Sequence, residues 1–229
     1  MLMRLFCFWT GNNQMSYNRS ICLKSIAQNC QVKFHLITPL TLSEWVVEPL
    51  HPTYPYLSLT HKADYLRCYF MHFHGGGYTD IKLTFDDWRI YFKKLYCSKS
   101  IYMCGYAEKS PKDIASHDQN IISSYSNLPG MGKFIFKPVS PITSEWYSQV
   151  TNKLDILSEL LSRYPGTYHP RAIYGGVHTR NPIYKLRYKY SKYPLKWNDL
   201  LGSILHPIAY RYRSNIILDM CYVNTAKYL

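Results

Sequence analysis

Apolar residues in the first part of the chain fall into two short runs separated by a helical stretch. Leu5-Phe6-Cys7-Phe8-Trp9 is continuous and stops at Thr10-Gly11, the pattern of a buried strand opening into a loop. Asn18 to Gln28 repeats its apolar positions at helical spacing, with Ile21, Leu23 and Ile26 expected inward. Val32 to Ile37 alternates and then turns apolar, a second buried strand that stops at Thr38-Pro39. Leu42 to Val47 reads as a short helix capped by Thr41 or Ser43. Two prolines make His51 to Pro55 a loop. Strand, helix, strand, helix in about fifty residues is a βαβ unit, and therefore the start of a doubly wound sheet.

The rest of the chain is arranged around His61 to Phe85. Leu66, Phe70 and Phe73 recur three and four residues apart and form one apolar stripe of a helix. Asp64 and Arg67, three apart, share a face of that helix and can act on one ligand. Gly75-Gly76-Gly77 stops the helix, because glycine adopts positive φ without steric cost. Tyr78 to Leu83 then alternates like a strand, which would put Asp80 and Lys82 on one face. Further on, Trp88 to Leu95 reads as a helix with Arg89, Lys93 and Lys94 outward, and Ile101 to Tyr106 as a strand. Lys109 to Asn120 reads as a loop beside the site, and Asn127 to Gly132 as a turn before a strand at Phe134 to Phe136. Pro141 to Tyr164 carries Trp146, Val150, Leu154, Leu157 and Leu161 at helical spacing, the longest helix expected. Trp197 to Leu205 reads as a short helix feeding His206-Pro207.

Composition narrows the class. At 229 residues, 47% hydrophobic and 18% charged, the chain suits one compact folded domain. The 27 Lys and Arg against 14 Asp and Glu give a formal charge of +13, a balance that favours anionic partners: nucleotide diphosphates, acidic lipid or nucleic acid. Seven cysteines form no CxxC pair, which argues against a zinc knuckle or a disulfide framework and for reduced thiols. Leu5 to Trp9 is too short for a signal-peptide core, and no run reaches the ~20 apolar residues of a membrane span. A soluble, intracellular protein is expected, meeting any acidic membrane through its charge.

Ala63-Asp64-x-x-Arg67 followed by Gly75-Gly76-Gly77-Tyr78-x-Asp80 resembles the signature of DXD-type glycosyltransferases with the GT-A fold. The run is similar to the capsular-polysaccharide-synthesis and sugar-binding-region families, to virus-encoded capsid glycosyltransferases and to glucosylating clostridial toxins. The resemblance implies a single domain over residues 1–229: an α/β, GT-A-like (Rossmann-like) mixed, mainly parallel sheet flanked by helices. It also implies transfer of a sugar from a nucleotide sugar, a UDP-sugar above all, to a glycan or glycoprotein. Asp64, Arg67, Gly76, Asp80 and Lys82 become donor-site residues, with Trp9, Thr10 and Gly11 against the nucleotide base. Trp9 could stack on a uracil or could simply be core. Where the family has a second metal-binding aspartate, this chain has Lys82. Two versions follow: the ammonium partly replaces the cation, or Mn²⁺ or Mg²⁺ binds Asp80 with one late histidine, His206 or, second, His178. Ile173 to Thr179 resembles the family's late Gly-Pro-x-x-x-Thr element, with Gly176 at the proline.

Sugar transfer requires charge neutralisation on the leaving diphosphate and an acceptor hydroxyl held in line. An inverting reaction also needs a base for that hydroxyl. Asp80 is the leading candidate for a catalytic group. Asp118 is the chosen base, with Asp113 and Glu145 as the other carboxylates on the expected acceptor side. The basic, tyrosine-rich run Tyr184 to Tyr193 carries three readings: an edge strand guarded by lysines, a docking patch for an acidic membrane or acceptor glycan, or a single-stranded nucleic-acid surface. A basic nucleic-acid-binding module without catalysis is thus the rival from another class, and an inactive donor-binding relative lies between the two.

Overall fold

The computed structural model describes residues 3–166 and 191–223. Its centre is a six-stranded sheet. Strand β1 (Arg4–Phe8) pairs in parallel with β2 (Lys33–Ile37) and with β3 (Gly76–Thr79). Strand β5 (Pro129–Phe136) runs antiparallel between β3 and β4 (Met103–Ala107), and β6 (Ile216–Ile217) lies parallel to β4. The order is β2-β1-β3-β5-β4-β6, so five strands point one way and β5 points back. The α/β class and the mixed, mainly parallel sheet expected from the sequence are both present.

Alternation along β1 builds two cores. Leu5 and Cys7 face one side of the sheet and Phe6 and Phe8 the other, and all four are buried. On the Phe6 side lie α2 (Leu59–Phe73), α5 (Pro141–Ile156) and α7 (Gly202–Arg211), contributing Phe70, Trp146 and Leu205. On the Leu5 side lie α1 (Tyr17–Asn29) and α3 (Trp88–Cys97), contributing Ile26 and Trp88. Helices α4 (Gln119–Ser123) and α6 (Ser158–Arg163) are short. Ser16, Ser58 and Ser140 each cap a helix by accepting a backbone N–H three residues on.

Several expectations need correction. Among the described residues, strand β2 is the sheet edge with no strand beyond it, and it is only half-buried, with Lys33 exposed. In α1 the inward residues are Cys22, Ser25 and Ile26, while Ile21 faces outward. The apolar pattern from 141 to 164 is two helices broken at Leu157. The last helix starts at Gly202 rather than Trp197 and runs through His206 and Pro207. Residues 127–132, read as a turn, mostly belong to β5, the longest of the described strands. Strand β3 ends at Thr79, so Asp80 and Lys82 lie in the bend that follows it. The His178 and Ile173–Thr179 expectations lie outside the described residues, as does Tyr184–Tyr193 apart from its last three positions.

The triple glycine acts by close approach as much as by stopping the helix. Helix α2 ends on His74, and Gly75 and Gly76 have φ of +62° and +90°. Gly76 already belongs to β3, and a Cβ there would sit 2.8 Å from the Arg4 carbonyl oxygen. Gly76→Ala therefore combines left-handed strain with a backbone clash. It should destabilise the fold by about 2–5 kcal/mol, read as a lowered urea midpoint; an unchanged midpoint would contradict this geometry.

Candidate functional site

Because β1, β3 and β4 point the same way, their carboxyl ends open on one edge of the sheet, where α/β folds bind ligands. Beyond β1 comes Trp9-Thr10-Gly11, beyond β3 comes Asp80, and beyond β4 comes Glu108. A cleft of about 860 Å³ occupies that edge, lined by all five of these residues and by Asp64, Arg67 and Lys82. Its volume lies in the range of ordinary small-molecule sites.

Asp80 is the centre of the charge arrangement. Its Oδ1 accepts from Arg67 Nη2 at 3.0 Å and from the Tyr78 hydroxyl at 2.5 Å, while Lys82 Nζ lies 3.0 Å from Oδ2. Burial alone would raise the Asp80 carboxyl, but Arg67, Lys82 and the Tyr78 hydroxyl outweigh it and hold the group below the usual carboxylate range. The Arg67 guanidinium also lies over the Tyr78 ring at 4.4 Å, donates to the Met131 carbonyl and sits 3.5 Å from Asp64. Asp64 behaves in the opposite way. It is 2% exposed, and burial pushes its carboxyl up to about 7 against the pull of Arg67.

The bend is built to hold these contacts. The Asp80 N–H donates to Gly132 O, and the Lys82 N–H turns back onto Asp80 O, which aims both side chains into the cleft without a strand. Beyond it, Arg19 donates to Ile81 O, Asn29 donates to Thr84 O, and a buried Lys133–Asp86 ion pair ties down the loop. Opposite, β5 carries extra residues: Gly105 pairs with Phe134 but Ala107 with Pro129. The excess bulges towards the cleft and supplies the Met131 and Gly132 carbonyls that Arg67 and Asp80 use. The Tyr106 ring fills the bulge, its hydroxyl accepting from the Gly132 N–H at 3.1 Å. A Cβ on Gly130 would lie 2.0 Å from that ring, so the bulge requires glycine there.

Other expected residues are placed elsewhere. Gly76 is buried in the sheet interior and does not line the cleft. Asp118 caps α4, accepting from the Asn120 N–H, and Glu145 pairs with Arg211 on the surface; neither lines the cleft. His206 is 1% exposed, and burial pushes its imidazole down to about 4. Its Nδ1 accepts from the Ala115 N–H and its Nε2 faces the Pro129 carbonyl, so both nitrogens are used inside the protein. A divalent cation fits poorly here: both Asp80 oxygens face cationic donors, and the expected histidine is spent. Among the described residues, no group of three or more His, Cys, Asp or Glu is placed to hold a metal ion.

Glu108 is the cleft residue that sequence reasoning missed. Its signal was positional: it follows the expected strand Ile101 to Tyr106 by two residues, at the end where ligands bind. Trp197 and Tyr222 also line the cleft, each nearly half exposed.

No protein-family model and no curated protein sequence matches the chain. Among solved structures, the PaToxG glycosyltransferase is similar, with a TM-score of 0.40 and 11% identity over 99% of this chain and 82% of that one. A likeness that distant assigns no residue a role.

The Asp64 environment has a measurable consequence. Between about pH 4 and 7 the unfolded chain has released the Asp64 proton while the folded one keeps it, so this residue makes stability fall as pH rises through that window. Asp64→Asn removes the penalty. It should raise stability by on the order of 2–4 kcal/mol at pH 8 and by less at pH 5; denaturant titration at the two pH values checks it, and a pH-independent change would contradict it.

Proposed function

We propose that the protein is a glycosyltransferase that moves a sugar from a nucleoside-diphosphate sugar, a UDP-sugar by the motif it resembles, onto a hydroxyl of a glycan or glycoprotein. The observation that carries this reading is the convergence on one cleft of Trp9-Thr10-Gly11, Asp64, Arg67, Asp80 and Lys82, from separate segments of the chain. Among the described residues, two cations face one ionised carboxylate, a balance that Asp64 does not change while it holds its proton. That balance suits a diphosphate. As the bond to the anomeric carbon breaks, negative charge builds on the departing oxygen, and cations already fixed by Asp80 can stabilise it without reorganising.

In this reading Arg67 and Lys82 face the diphosphate, and Asp64 reads a sugar hydroxyl, accepting or donating according to its proton. The loop after β1 takes the base. Two hydrogen bonds brace that loop, from the Trp9 indole to Asn13 O and from the Thr10 hydroxyl to Leu59 O. Asp80 works through its neighbours, holding the guanidinium and the ammonium in place. The lysine version of the site is the one the donor set supports, so no step depends on a divalent cation.

Thermal-shift measurements with UDP, UDP-glucose, UDP-galactose and UDP-N-acetylglucosamine test this. One UDP-sugar should stabilise the protein, by about 2.7 kcal/mol at a hundred times its Kd, equally in EDTA and in Mn²⁺. A response to oligonucleotides alone would favour the nucleic-acid-binding reading instead. Lys82→Ala should then lower turnover of that donor by about 100- to 1000-fold, with added Mn²⁺ giving no rescue; rescue by the metal would contradict the lysine version. The electrostatic balance predicts one more dependence. UDP-sugar affinity should weaken from pH 6 to pH 8 as Asp64 ionises, and Asp64→Asn should flatten that profile, as isothermal titration would read.

A further inference from the structure

Among the described residues, four cationic side chains line the cleft: Arg19, Arg67, Lys82 and Lys112. Lys112 stands exposed on a short turn at the rim. Arg67 and Lys82 both pair with Asp80, Arg67 Nη2 with Oδ1 and Lys82 Nζ with Oδ2, each at 3.0 Å. Arg19 reaches the same place from another element. It sits half-buried in the first turn of α1, and its Nη1 donates to the Ile81 carbonyl at 2.8 Å. Ile81 lies between Asp80 and Lys82, so this contact fixes the guanidinium beside the charges of the bend.

A purely bracing role would make the bend depend on Arg19, but other bonds already fix it. The Asp80 N–H donates to Gly132 O at 2.8 Å, the Lys82 N–H donates to Asp80 O at 2.7 Å, and the Tyr78 hydroxyl donates to Asp80 Oδ1. Further along, Thr84 is tied to α1 twice: its N–H donates to Ser25 Oγ and its carbonyl accepts from Asn29. On so fixed a bend, the Ile81 carbonyl orients the guanidinium as much as the guanidinium holds Ile81. A guanidinium carries five donors in a planar fork, and that fork matches phosphate oxygens two at a time.

We propose that Arg19 is a third donor-site cation, binding a phosphate of the nucleoside diphosphate alongside Arg67 and Lys82; this deepens the glycosyltransferase reading of the cleft and rests on it. Each phosphate brings its own negative charge, whereas Arg67 and Lys82 share the Asp80 carboxylate. Arg19 adds positive charge from the α1 side, where Asn13, Gln14 and Ser16 also line the cleft. The diphosphate is then gripped from three segments of the chain: α1, α2 and the bend after β3. Arg19 makes and breaks no covalent bond, so its effect falls on how tightly phosphate-bearing ligands are held.

Titration with UDP by calorimetry, and with uridine by ligand-observed NMR, tests this. Arg19→Gln should weaken UDP binding by about 10- to 100-fold while uridine stays within about twofold of wild type. Loss of a cation that touches phosphate should also make UDP affinity less sensitive to added salt, whereas loss of a brace would leave the salt dependence as it was. Should Arg19→Gln fail to fold, Arg19→Lys gives the second reading: it keeps the charge but not the fork, so UDP should weaken by less and uridine again not at all. Unchanged UDP affinity, a uridine loss as large as the UDP loss, or an unaltered salt dependence in Arg19→Gln would each overturn the assignment while leaving the glycosyltransferase reading intact. No binding or turnover of any UDP-sugar by the wild type would overturn both.

Discussion

A carboxylate that must stay ionised while mostly covered by protein sets the terms for this fold. Asp80 is held as an anion by Arg67 from helix α2, Lys82 from its own bend and the Tyr78 hydroxyl from β3. Removing the Asp80 carboxylate would strip both cations of its charge, and breaking a buried pair costs far more than forming one gains. The surrounding backbone serves the same balance. The β5 bulge supplies carbonyls to Arg67 and to the Asp80 N–H, and Tyr106 fills the space that the bulge opens. Gly130 and Gly132 permit this because a side chain at either would press on Tyr106, and at Gly132 also on Val223.

Topology then makes the cluster useful. A strand reversal at β5 separates β3 from β4 without reversing their direction, so both release their next residue at the same edge. Asp80 and Glu108 are 28 positions apart in the sequence, yet each is the first residue beyond such a strand. Helix α2 brings Asp64 and Arg67 alongside because the tight Gly75-Gly76 reversal returns the chain straight into β3. The link from sequence to site is thus short: three strand ends and one helix face.

How much of this could be read from the sequence follows the range of the interactions. Strand β1, helix α2 and the Asp64, Arg67, Asp80 and Lys82 grouping were legible because periodicity and glycine position encode them locally. The edge position of β2 was not, since Lys33 to Ile37 reads alike whether or not another strand pairs beyond it. Asn127 to Gly132 has turn composition, and only the Tyr106 ring, more than twenty positions earlier, makes those glycines part of a bulged strand. His206 shows the same limit. Its type suggested a ligand, whereas its partners are the Ala115 N–H and the Pro129 carbonyl, which no spacing rule connects to it. Asp118 failed for a local reason: the residue after it begins a helix, and Asp there caps.

The deeper pattern is how one cleft drives similar groups apart. Asp80, between two cations, is held below the usual carboxylate range, whereas Asp64 and Glu108 are pushed up to about 7 by burial. Such divergence within a few side chains is how a site obtains a permanent anion and neutral-range titrating groups from carboxyls alone. It also bears on the lysine at position 82. A divalent cation would lower the nearby carboxyls strongly, whereas an ammonium paired to Asp80 is a weaker and local influence. With Lys82 spent on Asp80, the fields at Asp64 and Glu108 remain dominated by desolvation, and both keep their protons within reach of physiological pH. A lysine at position 82 therefore leaves the carboxyls of Asp64 and Glu108 governed by burial, both pushed up to about 7.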